Sequence, residues 1–364
     1  MKILILNWRD IKHPLAGGAE IATHEHAKAW ISAGHSVTMF SSTFPNGKIE
    51  ETIDGMRIIR EGNHYTVHLK AAHFYLKNLK SKIDLVVDEF HFIPFFTPLY
   101  VSRKKIAYIH ETAGENWFKN IYFPLNLIGY LLEPLIFLLY RKIRFITVSN
   151  STREDLMRFG IKKSMITIIH NGIAKLPSKK THEKNPTVLY LGKLAVDKGI
   201  EDAIYAFSKV YAQGKDCVFW IVGKEEKKDY KNKLVMLVQS LGIENSVKFY
   251  GYVSEQEKFD IYKRAWVLIH PSLKEGWGLT VIEAASQGCV AVGYNTAGLR
   301  DSILDQKTGL LVEHKNINAL ALSVLKIIKD KNLREVLGNN AVKRSIKFSW
   351  AQSTKESTAF INSL

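Results

Sequence analysis

The sequence predicts an α/β protein built from two doubly wound, parallel-sheet domains. Three observations indicate this: the chain has 364 residues, short apolar runs alternate with longer helix-like stretches, and these runs fall into two sets. A chain of this length exceeds one ordinary domain. Continuous apolar strands separated by helices are typical of parallel sheets covered on both faces. Such sheets bind ligands beyond the carboxyl ends of their strands.

The predicted strands are short runs rich in Ile and Val, each followed by a longer stretch with helical character. Each set is sufficient for one sheet. The first set comprises Lys2–Trp8, Ser36–Phe40, Met56–Arg60, Asp84–Val87, Lys105–Ile109, Phe145–Val148 and Met165–Ile169. The second set comprises Thr187–Leu191, Cys217–Val222, Ser246–Tyr250, Trp266–Ile269, Val290–Gly293 and Gly309–Val312.

The domain boundary is predicted within a polar, Lys-rich stretch from Ala174 to Pro186 that follows the turn signal Asn171-Gly172. We place an N-terminal domain at residues 1–175 and a C-terminal domain at 176–349. The tail over about 350–364 is predicted to form a helix. One arrangement open to that helix is packing back on the N-terminal domain.

The composition excludes several classes of protein. Hydrophobic residues make up 46% and charged residues 24%, which argues against a disordered or fibrous chain. Two cysteines, Cys217 and Cys289, cannot build a disulfide framework, and the apolar start Ile3–Leu6 is too short for a signal-peptide core. We therefore expect a cytoplasmic protein with reduced thiols.

The formal net charge of +16 is spread over both halves of the chain. Such basicity suits an anionic substrate or an anionic membrane surface, and it also suits a basic surface that serves solubility alone. Nucleic acid is the weakest alternative, because the sequence has no zinc-knuckle spacing, RNP-like run or Arg-rich tail.

The most informative segment runs from His270 to Ala285. An apolar strand ends at His270, a loop containing Gly276 and Gly278 follows, and a helix is predicted to begin near Leu279. The amino terminus of a helix has free backbone N–H groups and partial positive charge, which suit a diphosphate. The glycines allow the backbone to approach a ligand closely.

Two carboxylates flank this helix start. Glu275 precedes it and Glu283 lies eight residues later, within roughly 80° of the same direction around a helix axis. Both carboxylates can therefore contact one ligand. A nucleotide sugar has hydroxyls on both sides of its diphosphate, on the sugar and on the ribose, so one carboxylate for each is an economical arrangement. The alternative is a capped helix with two solvated glutamates.

A second phosphate-binding element is predicted at Leu191–Gly199. Lys193 and Lys198 lie around a turn after the first strand of the second domain, and two ammonium groups can neutralise a leaving diphosphate as metal ions do in other transferases. The sequence has no Asp-x-Asp pair to hold a metal, so we expect neither a metal ion nor another cofactor. Solvated surface lysines are the alternative.

Together, these segments resemble a known family. Gly17–Glu20, His110, Gly192-Lys193 with Lys198-Gly199, and Glu275–Glu283 are similar to the retaining glycosyltransferases of the GT-B fold, family four. The resemblance runs from Met1 to about Trp350. It implies two Rossmann-like domains that face each other across a cleft, with the active site in the cleft.

The resemblance also implies roles for individual residues. Glu275 would hold the hydroxyls of the donor sugar, Glu283 those of the ribose, and the two lysines would clamp the diphosphate. This sequence departs from the family at Lys193, where the family usually has Arg. A lysine offers the phosphate a point charge, whereas an arginine makes a bidentate contact. The implied catalytic residues are His110, Glu275 and Lys198. The implied donor-binding residues are Gly18, Lys193, Lys198, Tyr252, Val253, Glu275, Gly278, Leu279 and Glu283.

His110 follows the predicted strand Lys105–Ile109 and is therefore expected at the cleft. The family has a histidine there, next to the transferring sugar and the acceptor. Retention in the family resembles a front-face displacement in which the leaving phosphate takes the acceptor proton. His110 would then align the reacting groups without forming a covalent intermediate. A hydrogen-bonded structural histidine is the alternative.

Two stretches bear on the acceptor. In the helix predicted over Tyr65–Ile83, six apolar residues fall on one face beside lysines, which fits a helix on anionic lipid and equally a core-facing helix. The stretch Ile121–Tyr140 is about as long as a membrane span, but Pro124 and Pro134 interrupt it, which favours a buried or membrane-dipping helix pair. The six face residues are Tyr65, Leu69, Ala72, Leu76, Leu79 and Ile83.

These features predict a retaining hexosyltransferase that is cytoplasmic and peripheral on the inner face of the membrane. The donor is a nucleotide sugar, with a UDP-sugar favoured over GDP-mannose. The acceptor is a hydroxyl or phosphate of a lipid-linked or cell-envelope glycan.

A sugar phosphorylase and a nucleotide-sugar epimerase share the fold and remain alternatives. A dinucleotide-dependent oxidoreductase is disfavoured because neither half has a G-x-G-x-x-G turn after its first strand. A non-catalytic scaffold is disfavoured by the full set of candidate residues.

Overall fold

The structure is a computed structural model that describes residues 1–174, 181–214 and 216–364. The chain forms two compact units, residues Met1–Gly172 with Trp350–Leu364 and residues Ile173–Ser349. Each unit contains one sheet, so the prediction of two parallel-sheet α/β domains is confirmed. The boundary predicted at 175–176 lies outside the described residues.

The first unit contains an eight-stranded sheet in the order β3-β4-β2-β1-β5-β6-β7-β8, parallel except for the edge strand β3. Its central strands are buried because helices cover both faces. Its strands are β1 Lys2–Leu6, β2 Ser36–Ser41, β3 Glu50–Ile53, β4 Met56–Arg60, β5 Leu85–Phe90, β6 Lys104–Ile109, β7 Arg144–Thr147 and β8 Ile166–Ile168. Its helices are α1 Gly18–Ser32, α2 Val67–Phe74, α3 Trp117–Asn120, α4 Leu125–Leu139 and α5 Asn150–Arg158.

The second unit contains a six-stranded parallel sheet in the order β11-β10-β9-β12-β13-β14. Its apolar strands pack between two helical layers, which accounts for their continuous hydrophobicity. Its strands are β9 Thr187–Leu191, β10 Val218–Val222, β11 Val247–Gly251, β12 Val267–His270, β13 Val290–Tyr294 and β14 Gly309–Val312. Its helices are α6 Ile200–Tyr211, α7 Tyr230–Ser240, α8 Glu255–Arg264, α9 Leu279–Ser286, α10 Leu299–Ser302, α11 Ile317–Lys329 and α12 Lys331–Ser345.

The order of strands fixes where ligands can bind in each sheet. Strands β9 and β12 are neighbours, and the chain leaves them toward opposite edges of the sheet. Strands β1 and β5 have the same relationship in the first unit. A crevice opens at the carboxyl ends of such a strand pair. The loops after β9 and β12 carry Lys193, Lys198 and Glu275 to this position.

The last helix, α13 Trp350–Asn362, returns to the first unit and packs against α1. Two buried hydrogen bonds fix the contact. His26 Nε2 lies 2.9 Å from Ser353 Oγ, and Trp30 Nε1 donates to Ser357 Oγ at 2.9 Å.

One predicted helix differs from the structure. The stretch Tyr65–Ile83 forms α2 and then a π-helical turn at Tyr75–Leu79, and its buried stripe is Val67, Ala71 and Tyr75. The predicted apolar face is wrong as a core face, because Tyr65, Leu69 and Leu76 are exposed. Both stripes of this helix have residues three or four positions apart. The sheet packs against the stripe of Val67, Ala71 and Tyr75 and not against the predicted one.

Candidate donor and acceptor sites

The loops after β9 and β12 bring Lys198, His270 and Glu275 together. Glu275 Oε1 lies 3.0 Å from Lys198 Nζ and 3.2 Å from His270 Nε2. His270 is the buried last residue of β12, while the Glu275 carboxylate retains some exposure to solvent. The cluster thus presents one carboxylate and one ammonium group at the crevice of the second sheet.

Backbone contacts hold these two loops against each other. Leu273 N donates to Asp197 O at 2.9 Å, and a Cβ on Gly199 would lie only 2.0 Å from Pro271 O. Gly199 also has a φ of +68°, which favours glycine. Lys198 therefore reaches Glu275 because its neighbour allows a backbone approach that a side chain would block.

The electrostatics of the cluster keep Glu275 ionised. Burial alone would raise the pKa of its carboxyl, but the charge of Lys198 and the hydrogen bond from His270 outweigh burial and hold this pKa well below its usual range. An ionised carboxylate accepts hydrogen bonds at both oxygens, and charge-assisted bonds to hydroxyls are stronger than neutral ones.

Glu283 lies in α9 and faces α8. Its Oε1 accepts from Lys258 Nζ at 2.8 Å, and its Oε2 accepts from the Tyr262 hydroxyl at 3.2 Å. Burial raises the pKa of Glu283, and the nearby Lys258 ammonium only partly offsets this. Glu275 and Glu283 therefore differ electrostatically: each has a lysine, but only the pKa of Glu275 is lowered.

Helix α9 begins at Leu279, as predicted. Its N-cap, Gly278, has a φ of +75°, and within the described chain no side chain caps this end. A Cβ on Gly278 would lie 2.6 Å from Ser302 Oγ, so the backbone packs tightly there. The uncapped terminus is a ready site for an anion.

Lys193 lies at a neighbouring strand end. Its Nζ is 3.8 Å from Glu226, and Leu194 N donates to Lys224 O at 2.8 Å, which draws the loops after β9 and β10 together. Lys224 Nζ lies 4.3 Å from the ring centroid of Tyr252, a cation–π contact. Tyr252 is 72% exposed, while Val253 is half-buried against the core.

In the first unit, Gly18, implied to bind the donor, is the first residue of α1. The helix starts this early because Glu20 Oε2 accepts from Gly17 N at 2.6 Å. The other oxygen, Glu20 Oε1, accepts from Arg9 Nε at 2.8 Å. Both of these charged side chains are largely buried beside β1.

His110 directly follows β6 and stacks on Tyr108, with ring centroids 4.7 Å apart. Its Nε2 is buried and has no hydrogen-bond partner among the described residues. Burial, together with the nearby His91, lowers the pKa of His110 to about 3. The imidazole is therefore neutral at physiological pH and has an unused nitrogen.

Several of these site residues were missed by the sequence prediction. His270 had a signal, because it ends a predicted strand, and Gly223-Lys224 repeats the Gly-Lys pattern that singled out Lys193. Lys258 had no such signal, because helix packing brings it to Glu283 from 25 positions away.

Within residues 1–174, 181–214 and 216–364, no three His, Cys, Asp or Glu side chains are grouped to hold a metal ion.

Two family models match the chain side by side. The model of glycosyl transferases group 1 matches residues 173–344, and that of glycosyltransferase family 4 matches residues 16–174. An uncharacterized glycosyltransferase of Methanocaldococcus jannaschii is 26% identical to this chain, over 98% of this chain and 96% of the relative.

Solved structures share the fold. Sucrose-phosphate synthase from Thermosynechococcus elongatus has a TM-score of 0.83 at 21% identity, covering 100% of this chain and 98% of that one. HepE from Anabaena, in complex with UDP-glucose, has a TM-score of 0.78 at 18% identity, covering 100% of both chains.

Proposed function

This chain belongs to the glycosyl transferases group 1 family and is a glycosyltransferase of the GT-B fold, and from that premise we propose that it transfers a hexose with retention of configuration. The proposed donor is a nucleotide sugar, with a UDP-sugar favoured over GDP-mannose. The proposed acceptor group is a hydroxyl or phosphate of a lipid-linked or cell-envelope glycan.

The observation that carries the proposal is the cluster of Lys198, His270 and Glu275 beside the uncapped start of α9. A nucleotide sugar needs a hydrogen-bond acceptor for its sugar hydroxyls and positive charge for its diphosphate. Glu275 is ionised and can accept from two hydroxyls, while Lys198 and the α9 terminus supply the positive charge. Glu283, held by Lys258, would accept from the ribose hydroxyls.

We propose that no metal ion is needed for departure of the nucleoside diphosphate. As the bond from the anomeric carbon to the phosphate oxygen breaks, negative charge grows on the diphosphate. Lys193, Lys198 and the backbone N–H groups of Gly278 and Leu279 are the proposed stabilising groups for that charge. Unchanged turnover after exhaustive chelation would support this part of the proposal.

Retention is proposed to follow from attack on the face that the diphosphate leaves. The acceptor oxygen bonds to the anomeric carbon, the bond to the phosphate oxygen breaks, and the acceptor proton passes to that same phosphate oxygen. Neutral His110, with its unused Nε2, would hold the acceptor in line and not form a covalent bond. Trapping of a glycosylated His110, or of any glycosyl-enzyme, would contradict this scheme.

Two observations support the choice of donor and of compartment. The similar fold of Anabaena HepE is solved with UDP-glucose, and the exposed ring of Tyr252, one of the proposed donor-binding residues, offers a surface for the base. Both Cys217 and Cys289 are buried free thiols, which suits a reducing compartment and supports a cytoplasmic enzyme peripheral on the inner face of the membrane.

The proposal is tested by calorimetry of the metal-free protein with UDP, GDP, UDP-glucose, UDP-N-acetylglucosamine, GDP-mannose and NAD. We expect one nucleotide class to bind, with weaker binding in Glu283→Gln and unchanged binding in Glu335→Gln, whose exposed carboxylate serves as the control. Binding of NAD alone, or of none of these compounds, would overturn the proposal.

A further inference from the structure

Helix α4 exposes an unusual amount of apolar surface. Leu125, Leu131 and Leu135 are more than half exposed, and the two residues before the turn into the helix, Tyr122 and Phe123, are more exposed still. Single exposed leucines are common on soluble proteins, but a contiguous apolar patch on one helix marks an interaction surface.

The helix cannot rotate to hide this surface because its other stripe is fixed. Glu133 accepts from the backbone N–H groups of Ala113 and Gly114 at 2.8 Å each, and from Trp117 Nε1 at 3.0 Å. Phe137 is buried in the core of the first unit. The same hydrogen bonds tie α4 to the loop that follows His110.

The charge around α4 is positive. Glu133 is the only acidic residue between positions 118 and 150 in the sequence, and its carboxylate is buried by the bonds described above. Arg141 and Lys142 follow the end of α4 and are exposed. The apolar surface therefore ends in cations with no exposed acid in the same segment.

Helix α2 presents a second surface on the same side of the sheet. Val86 and Phe90 occupy alternate positions of β5 and so point to one face, where Val86 packs under α2 and Phe90 under α4. On the outside of this layer, Leu69 and Leu76 are exposed. A cavity of about 560 Å³ beside Leu76 has four basic residues among the eight that line it: Lys77, Lys80, Lys82 and Arg103.

We propose that the outer faces of α4 and α2 dock the protein on an anionic lipid bilayer, with α4 lying in the interface. The apolar side chains would enter the boundary of the acyl chains, and the lysines and arginines would contact lipid phosphates. With 15 residues, α4 is about 22 Å long, shorter than a bilayer core of about 30 Å. No helix in the described part of the chain is both long and apolar enough to cross a membrane.

Docking of this kind bears on the acceptor. Because Glu133 links α4 to the loop after His110, the surface that contacts lipid is mechanically connected to the proposed acceptor side. This connection rests on the proposed function, whereas binding to lipid does not depend on it.

Flotation with vesicles tests the inference. We expect the protein to bind vesicles of phosphatidylglycerol and phosphatidylcholine and to bind pure phosphatidylcholine at least about tenfold less well. The variant L131E/L135E should bind the anionic vesicles at least about tenfold less well, because charges replace apolar side chains at the interface. Its matched control, M236E/L322E, changes two equally exposed apolar residues of the second unit and should bind normally.

Three results would overturn the inference: no preference of the wild type for anionic vesicles, equal loss in both variants, or a wild-type dimer by light scattering that L131E/L135E dissolves. The dimer would mean that a second copy covers α4. Nucleotide calorimetry on the same samples separates the two proposals. Normal nucleotide binding without vesicle binding contradicts only docking, and the converse contradicts only the donor proposal.

Discussion

The Nζ atom of Lys258 lies 2.8 Å from Oε1 of Glu283, so the carboxylate proposed for the ribose is paired with a lysine from a different helix. Lys258 also contacts Glu255 at 2.7 Å, and its own pKa is raised: burial opposes its charge, but the two carboxylates outweigh burial. The lysine is therefore a positioning residue. It opposes the rise in pKa that burial causes at Glu283, and it orients the carboxylate oxygens.

Lys258→Met should weaken UDP binding by about tenfold at pH 6 and by less at pH 8. Without the ammonium group, the pKa of Glu283 rises further, so more of it is protonated at the lower pH and accepts fewer hydrogen bonds. Calorimetry at both pH values measures this. Lys263→Met is the control, because Lys263 pairs with Asp260 on the same helix. Tighter UDP binding by Lys258→Met would mean that Lys258 competes with the nucleotide for Glu283.

Glu275→Gln should lower kcat by about 10²-fold and change the Kd for UDP by less than about threefold. The amide keeps the shape of the side chain but loses the charge-assisted hydrogen bonds to the sugar hydroxyls, which UDP lacks. Steady-state kinetics and calorimetry measure the two quantities, with Glu335→Gln as the control. Near-normal turnover would show that a different carboxylate holds the sugar.

Much of this fold could be predicted from the sequence because parallel strands are continuous apolar runs with glycines near their ends. Helix α9 starts at Leu279, as predicted, since Gly278 supplies the positive φ of its N-cap. Strand β3 was missed because three of the four residues of Glu50–Ile53 are polar and the strand forms an antiparallel edge. The Asp54-Gly55 turn, with both φ angles positive, was the available signal.

The candidate site was predictable where its residues are close in sequence and not where packing assembles it. Glu275 and Lys198 come from loops whose glycines mark them. Lys258 reaches Glu283 only because α8 packs on α9, and no local pattern records that contact. The exposed stripe of α2 shows a further limit, because its periodicity fits a lipid-facing helix and a core-facing helix equally, and only the packed structure shows that Tyr65, Leu69 and Leu76 are exposed.

The pH profile of kcat/KM should show no inflection near pH 6.5 that belongs to His110. Burial lowers the pKa of His110 to about 3, so the imidazole stays neutral between pH 5 and 9. His110→Ala should lower kcat/KM by about 10- to 100-fold through lost alignment and leave the shape of the profile unchanged. An acid limb near pH 6.5 that disappears in this variant would show that His110 titrates in the working enzyme.

Glu89 is a buried acid whose carboxyl pKa is raised in the folded state. Its Oε2 accepts from Asn7 Nδ2 at 2.8 Å, and its Oε1 lies 2.5 Å from Thr23 Oγ1, which is also 3.1 Å from Ala19 O. The hydrogen bond that the Thr23 hydroxyl donates to Glu89 favours the ionised carboxylate, but it does not outweigh burial. Burial, with the nearby Glu20 and Asp88 charges, raises the pKa of Glu89 well above its usual value.

Glu89→Gln should therefore stabilise the first unit more at pH 8 than at pH 5. The unfolded chain releases the Glu89 proton above about pH 4.3, whereas the folded chain releases it only at a higher pH, so wild-type stability falls as pH rises toward the folded pKa. The glutamine has no proton to lose. We expect its gain in Tm over wild type to be about 3 °C larger at pH 8. Equal gains at both pH values, or the same trend in the exposed control Glu154→Gln, would contradict a raised pKa of Glu89.

Gly199→Ala should lower the free energy of unfolding of the second unit by more than about 2 kcal/mol and weaken UDP binding with it. The new Cβ would lie 2.0 Å from Pro271 O at a φ of +68°, so the loops after β9 and β12 must separate, and Lys198 moves away from Glu275. Gly214→Ala is the control, because a Cβ there meets no described atom within 4 Å. Urea unfolding and calorimetry measure both effects. Wild-type stability in Gly199→Ala would mean that these loops do not touch, and the Lys198–Glu275 cluster would lose its structural basis.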